Sequence, residues 1–256
     1  MRKSSLCISL FLFLFVYGTE LFSQENPVAF NKPYFKSYIT DTKDIILAPF
    51  HWNSIQIGSC AGIILGAGIL SLEDVKITDY FQRKRTNLTN NFSTYGVEPW
   101  GNGEYSMATM ALFYLGGTIF KDDRSKKVAM LGLKTYILTG GAVEVPKFVF
   151  QRARPYQNGD NQYHFAGPKI PVKYTSLPSG HTTSAYALAT IVASEYKEKP
   201  LVGVAAYTIA TMAGIARIHD YQHWASDVVL GAAFGYAMGK LIYNRNNWGV
   251  KQFKAL

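Results

Sequence analysis

The chain is poor in cysteine, with only Cys7 and Cys60 among its 256 residues. Cys7 lies inside an apolar N-terminal run, so removal of that run would leave Cys60 without an intramolecular disulfide partner. This count excludes a small scaffold held together by disulfides. Charged residues are also scarce, at 17% of the chain against 48% hydrophobic residues. So apolar a chain can bury a core, which excludes global disorder, and its length suits one sizeable domain.

Acidic residues are outnumbered, since 17 Asp and Glu stand against 26 Lys and Arg, for a formal net charge of +9. This balance suits anionic lipid headgroups, phosphorylated small molecules or nucleic acid. The sequence contains no nucleic-acid-binding motif, so we expect no nucleic-acid partner. It also shows no paired-carboxylate or His-x-x-x-His cluster that would hold a metal, so we expect no metal and no cofactor.

Residues 1–23 have the pattern of an export signal. Arg2 and Lys3 form a basic start, and the stretch from Leu6 to Tyr17 is apolar and uncharged. The alternative is a retained N-terminal membrane anchor, although the run is short for a full span. With either outcome, the body of the protein is expected outside the cytoplasm.

Residues 24–103 form a predicted N-terminal segment with one apolar helix, at 54–72. That helix is free of charge, long enough to span a bilayer, and rich in glycine, which allows a neighbouring helix to approach closely. Before it, Pro33 is expected to break any long helix. After it, residues 73–105 are polar and are predicted to form turns.

Residues 104–243 are predicted to form the catalytic core, and residues 244–256 a polar tail. The core helices are expected at about 104–120, 126–152, 180–197, 200–217 and 225–243. Each is apolar on most faces, which is typical of a helix in a large core or in a membrane. The sequence therefore predicts an all-α helical bundle.

Three motifs in this region carry residues suited to phosphate chemistry, and the first joins Lys147 to Arg154 and Pro155. Seven residues make two helical turns, so both cations are expected on one face of a helix. Phe148 and Phe150 indicate a buried setting, where two cations are unfavourable unless an anion lies between them.

The second motif is Pro178-Ser179-Gly180-His181, at the start of a predicted helix. Ser179 is suited to cap the helix, and Gly180 lets the backbone come close to a ligand. Because free N–H groups at a helix start bind phosphate, His181 is expected beside a bound phosphoryl group.

The third motif contains Arg217, His223 and Asp227. His223 and Asp227 are four residues apart near a helix start, so the carboxylate is expected to reach the imidazole. An aspartate bonded to one ring nitrogen would fix the tautomer and leave the other nitrogen free to attack.

Each motif alone is commonly structural, but their order and spacing together resemble the signature of the type 2 phosphatidic acid phosphatase superfamily. That signature reads Lys-x6-Arg-Pro, Pro-Ser-Gly-His and Ser-Arg-x5-His-x3-Asp, and the match covers roughly residues 104–243. One departure is Ala216, which stands where the third motif has Ser and puts fine positioning in doubt. The resemblance implies an all-α bundle of the phosphatase and vanadium haloperoxidase type, associated with a membrane.

The resemblance also implies a metal-independent phosphatase that hydrolyses phosphomonoesters or diphosphates, with lipid phosphates as the expected substrates. His223 would be the nucleophile that forms a phosphohistidine, Asp227 would orient it, and His181 would protonate the leaving group and then activate water. The phosphate-binding residues would be Lys147, Arg154, Ser179, Gly180 and Arg217.

Several alternatives stay open at this level. Alternating helix directions would bring all three motifs to one end of the bundle, facing the periplasm or the cell exterior. However, Lys134 interrupts one apolar helix and several charge-free cores are short for a span, so a soluble periplasmic acid phosphatase is the first alternative. A vanadium-dependent haloperoxidase and a non-catalytic anion-binding protein are the others.

Overall fold

A computed structural model describes residues 28–159 and 161–246 of the chain, and within them the fold is all-α, as predicted. The one pairing of extended backbone in this part is an isolated antiparallel bridge between Arg152 and Phe165. The predicted signal or anchor at 1–23 and most of the predicted tail at 244–256 lie outside the described residues. The helices are α1 (Lys32–Leu47), α2 (Ser54–Ser71), α3 (Asp74–Arg83), α4 (Asn87–Phe92), α5 (Glu98–Gly101), α6 (Glu104–Ile119), α7 (Asp123–Phe150), α8 (Gly180–Glu195), α9 (Pro200–His219) and α10 (Ala225–Arg245).

Helix α8 lies at the centre of the bundle, packed against α7, α9 and α10. Glycines permit the closest of these contacts, because Gly231, Gly235 and Gly239 recur at every fourth residue along α10 where it meets α8. A Cβ at Gly231 would lie 2.6 Å from the main-chain oxygen of Ser179, and one at Gly239 would lie 2.7 Å from that of Ala187. Only glycine therefore allows the two helices to approach this closely.

Helices α2, α7, α9 and α10 of the described chain are long and apolar enough to cross a membrane. Helix α2 is the strongest candidate for a membrane-spanning helix, because Ala67 is its only buried residue. Its exposed side chains include isoleucines and leucines that water would solvate poorly. A bilayer would cover this surface, and the helix length suits the hydrocarbon thickness.

The region before residue 104 contains more helix than its sequence predicts. Pro33 does not break a helix as predicted, because it occupies the first turn of α1, where its missing N–H leaves no bond unmade. Residues 73–105, predicted as turns, instead form α3, α4 and α5, with a π-helical turn at Ser93–Val97. That prediction was wrong because tertiary packing stabilises short helices that their local sequence does not mark. Helices α3 and α5 pack against α9, and α4 packs against the π-helical turn.

Lys134, which interrupts the apolar run of α7, is fully buried and hydrogen-bonded. Its ammonium donates to Asp41 Oδ2 at 2.9 Å, to Asn246 Oδ1 at 2.6 Å and to the Ser37 hydroxyl. Ser37 and Asp41 lie on α1, and Asn246 follows α10 directly. One buried cation thus joins three parts of the bundle, and its pairing explains how an apolar helix holds a charge.

Candidate active site

The first motif brackets the C-terminal end of α7. The helix ends at Phe150, and Gln151 follows in the left-handed region with φ 40°. Lys147 lies on the last helical turn but Arg154 lies beyond it, so the prediction that both project from one helical face was wrong. The physical reason is that left-handed backbone at Gln151 ends the helix, so the residues after it do not continue the helical spacing. Arg154 is held instead by Gln222, whose Oε1 accepts from Nη1 at 2.8 Å.

Lys147 extends from α7 toward the start of α8. A Cβ placed on Gly180 would lie 3.1 Å from the Lys147 Nζ, so any side chain there would crowd the ammonium. Nζ also donates to Oε1 of the exposed Glu144 at 2.7 Å. The missing side chain at Gly180 therefore keeps open the space between the Lys147 ammonium and the α8 N-terminus.

Ser179 occupies the N-cap position of α8 and is fully buried. Contrary to the prediction, its side chain makes no capping bond, because the hydroxyl turns toward Thr182 and accepts from Thr182 Oγ1 at 2.9 Å. Its N–H donates to the main-chain oxygen of Asp227 at 3.1 Å, which joins the second motif to the third. As an acceptor in the Thr182 bond, the Ser179 hydroxyl retains its own proton for donation.

Glu98, at the start of α5, is a site residue that sequence reasoning missed. Its Oε1 lies 3.0 Å from His181 Nε2 and 3.2 Å from Arg217 Nη1, so one carboxylate oxygen joins the second and third motifs. Helix α5 packs closely here, since a Cβ on Gly101 would lie 2.7 Å from the Cβ of His181. No local pattern marks Glu98, because its position depends on contacts between distant parts of the chain.

The site is strongly cationic. Burial, and then the positive charges of Arg217, His223, Arg154 and Lys147, lower the pKa of His181 to about 3. Arg217 is buried, and its Nε has no hydrogen-bond partner among the described residues. A buried guanidinium N–H is costly to leave unpaired, and an anion bound among these groups would satisfy it. Among the residues that the structure describes, no cluster of three or more His, Cys, Asp or Glu is arranged to hold a metal ion.

His223 is buried in the loop between α9 and α10, and the main chain fixes its tautomer. Nδ1 lies 2.8 Å from the carbonyl oxygen of Ser176, which only accepts, so Nδ1 carries the proton and Nε2 is the free nitrogen. Asp227 Oδ2 is 3.9 Å from Nδ1, an ion-pair distance too long for a hydrogen bond. The structure thus corrects the predicted direct bond, since Ser176 is the partner of the ring. Burial lowers the pKa of His223 to about 4.

Both carboxylate oxygens of Asp227 accept from other donors. Oδ1 accepts from Arg152 Nη1 at 2.6 Å, while Oδ2 accepts from Ser176 Oγ at 2.5 Å and from the Trp224 N–H at 3.1 Å. Ser176 therefore connects the carboxylate and His223 through its hydroxyl and its carbonyl. Sequence reasoning missed Ser176 and Arg152 as site residues, although their nearness to the first two motifs is a signal that could have found them.

Hydrogen bonds join the segment before α6 to the last residue of α9 and to the residue that follows it. Gln82 donates to the main-chain oxygen of His219 at 3.0 Å, and Thr89 Oγ1 lies 3.1 Å from His219 Nε2. Ser93 donates to Asp220 Oδ2 at 2.8 Å. These bonds join α3, α4 and the π-helical turn to the C-terminal end of α9, close to Arg217 of the third motif.

The all-helical fold and the region that carries the three motifs have counterparts among known proteins. Residues 127–250 match the PAP2 superfamily. The fold agrees with that of a transmembrane PAP2-type phosphatidylglycerolphosphate phosphatase from Bacillus subtilis. The two align with a TM-score of 0.52 and 19% identity, over 87% of this chain and 98% of the other. The predicted resemblance to this superfamily and the membrane-associated helical bundle are confirmed.

Two curated proteins are similar to parts of the chain. A lipid A 1-phosphatase from Porphyromonas gingivalis is 42% identical over 107 residues, which are 41% of this chain and 21% of that protein. A probable diacylglycerol pyrophosphate phosphatase from Schizosaccharomyces pombe is 32% identical over 84 residues, which are 28% of this chain and 30% of that protein. The chain thus spans less than a third of the length of either relative.

Proposed function

We propose that the protein is a metal-independent phosphatase that hydrolyses phosphomonoesters or diphosphates, with lipid phosphates as its substrates. The observation that carries this proposal is the gathering of Lys147, Arg154 and Arg217 around two histidines, with the Arg217 Nε unpaired among the described residues. Fixed cations around a phosphoryl group stabilise the charge that spreads over its oxygens during transfer. The two lipid phosphatases among the relatives support a lipid leaving group.

In the proposed first half-reaction, His223 Nε2 attacks phosphorus, and the bond from phosphorus to the leaving oxygen breaks as the N–P bond forms. His181, in its protonated form, gives its proton to the departing oxygen. Nδ1 of His223 keeps its proton, which is hydrogen-bonded to the Ser176 carbonyl oxygen, so the phosphorylated ring is cationic. The groups proposed to hold the phosphoryl oxygens are the side chains of Lys147, Arg154, Ser179 and Arg217 and the Gly180 N–H.

In the second half-reaction, His181 takes a proton from water as the water oxygen attacks phosphorus. The N–P bond breaks, orthophosphate leaves, and both histidines return to their starting protonation states. Asp227 is proposed to act by charge, since its negative carboxylate faces the cationic ring.

The site is proposed to face the periplasm or the cell exterior of an exported, membrane-associated protein. The four apolar helices and the pattern at residues 1–23 support this placement. Cell fractionation tests it against the alternative of a soluble periplasmic acid phosphatase. Recovery of all the protein in the soluble fraction without detergent would contradict the membrane proposal.

Phosphate release in EDTA tests the activity, with a panel of lipid and water-soluble phosphoesters. The wild type is expected to release phosphate and to favour the lipid substrates, while His223→Ala should lose at least about 10³-fold in rate. His51→Ala is the matched control, because His51 is exposed and follows α1. Wild-type activity in His223→Ala would show that the proposed nucleophile is wrong. Vanadate-dependent bromination without phosphate release would support the haloperoxidase alternative instead.

A further inference from the structure

Asp74, the first residue of α3, buries its carboxylate completely against the first turn of α10. Oδ1 accepts from the Ser226 N–H at 2.9 Å, and Oδ2 accepts from Arg152 Nη2 at 2.8 Å and from the Ser226 hydroxyl. A buried carboxylate is costly unless donors and a cation compensate it. Asp74 has both the donors and the cation. Its two partners, Arg152 and Ser226, also bind each other next to Asp227.

Arg152 bridges two buried carboxylates. Its Nη2 donates to Asp74, its Nη1 donates to Asp227 Oδ1 at 2.6 Å, and its Nε donates to the main-chain oxygen of Gln162 at 2.9 Å. The Arg152 side chain is 3% exposed and both carboxylates are 0% exposed, so water screens these charges very little. The result is a carboxylate–guanidinium–carboxylate chain that ends 3.9 Å from His223.

The net charge of this chain of groups depends on Asp74. Arg152 and Asp227 alone would cancel, and nothing would balance a positive charge on His223. Asp74 adds a second negative charge, so the group keeps one net negative charge beside a neutral His223. When Nε2 bonds to phosphorus and Nδ1 keeps its proton, the ring becomes cationic and the charges balance.

We propose that Asp74 is a positioning residue for the nucleophile, acting through Arg152 and Asp227 to stabilise the cationic ring of phosphorylated His223. This inference rests on the proposed phosphohistidine reaction. Asp74 lies outside residues 127–250, the region that matches the superfamily. The N-terminal segment thus takes part in the chemistry through charge.

Asp74→Asn in the full-length protein removes the charge and keeps the size of the side chain. The kcat for phosphate release is expected to fall about 10- to 100-fold, the usual effect of losing an outer partner of a reacting group. The inhibition constant of orthophosphate should stay close to that of the wild type, because Asp74 does not touch the anion site. Asp79→Asn makes the same change of charge at an exposed position of α3 and should keep the wild-type kcat.

A double variant separates charge from structure. In Asp74→Asn with Arg152→Gln, Asp227 alone again supplies one net negative charge, so kcat should recover about tenfold relative to Asp74→Asn, the equivalent of one unit of pKa. Ser226→Ala removes bonds to Asp74 without changing charge and should therefore lose less than Asp74→Asn. A purely structural role predicts the opposite order, with the double variant slowest.

The outcomes are distinct. Wild-type kcat in Asp74→Asn, or a double variant no faster than that single variant, overturns the inference. If Asp74→Asn does not bind orthophosphate, the double variant is used for the comparison instead. A double variant that binds orthophosphate but does not recover turnover also overturns the inference. If the wild type itself releases no phosphate from any ester, the proposed function has failed, which the wild-type control reveals separately.

Discussion

The imidazole of His223 donates its Nδ1 proton to the main-chain oxygen of Ser176, 2.8 Å away. A backbone carbonyl has no net charge, so it fixes the tautomer without acting as a counter-ion. The counter-ion is Asp227, whose carboxylate lies 3.9 Å from the same nitrogen. Orientation and charge compensation, which one aspartate often provides together, are divided here between two residues.

Ser176→Ala tests this division, because it keeps the carbonyl that orients His223 and removes the hydroxyl that donates to Asp227. We expect kcat to fall about tenfold, as for the loss of one hydrogen bond to a charged group. Asp227→Asn removes the charge itself and should lower kcat about 10²- to 10³-fold. Initial rates on one substrate compare the two variants. A Ser176→Ala loss as large as that of Asp227→Asn would contradict the division.

Anion binding is expected to draw a proton onto His181. Without a ligand its pKa is about 3, so the ring is neutral near pH 6. A phosphoryl anion adds negative charge beside the ring and raises that pKa, so orthophosphate binding should take up a fraction of a proton. Calorimetry in two buffers with different ionisation enthalpies measures the uptake. His181→Gln is the control, and equal uptake in both proteins would place the proton elsewhere.

Glu98→Gln is expected to tighten the binding of orthophosphate. The carboxylate contacts His181 and Arg217, so its charge repels an anion that approaches the same groups. Burial raises the pKa of Glu98, because the charged carboxylate is partly removed from water. Removing one charge should lower the inhibition constant about three- to tenfold, or roughly 1 kcal/mol. Glu198→Gln, an exposed change paired with Arg124, should have no effect, and an unchanged constant in Glu98→Gln would refute the prediction.

Gly239→Ala is expected to destabilise the bundle by about 1–3 kcal/mol, because the new methyl group would overpack the contact between α10 and α8. Its nearest neighbours would include the main-chain oxygen of Ala187 and the Cβ of Thr190, both at 2.7 Å. Gly140→Ala on α7 is the matched control, since no atom lies within 4 Å of its added Cβ. That control should be neutral or stabilising by about 0.5–1 kcal/mol. Thermal unfolding in detergent compares them, and equal shifts would argue against the close packing.

The helices after residue 104 are predictable because long apolar runs, charged turns and prolines mark where each begins and ends. Helix α2 is predictable for the same reason. Helices α3, α4 and α5 are not, because they are short and depend on contacts with α9 or, for α4, with the π-helical turn. Arg154 shows a different limit, since left-handed backbone at Gln151 ends the helix before the seven-residue spacing is complete.

The charged residues of the three motifs are predictable because their spacing is local. The groups that surround these charged residues are not predictable in the same way. Glu98 and Asp74 lie 83 and 78 residues from the partners they bind, so no sequence window contains both members of either pair. Ser176 orients His223 through its main-chain carbonyl, which any residue type would provide, so its identity does not reveal that role.

The bond between Asp74 and Arg152 also places a constraint on how the chain can change over time. Two stretches that are 78 residues apart share one ion pair, so a substitution at position 74 changes the surroundings of Arg152 and, through it, of Asp227. Positions 74, 152 and 227 should accordingly be inherited as a set. A variant that alters one of them is best understood by examining the other two.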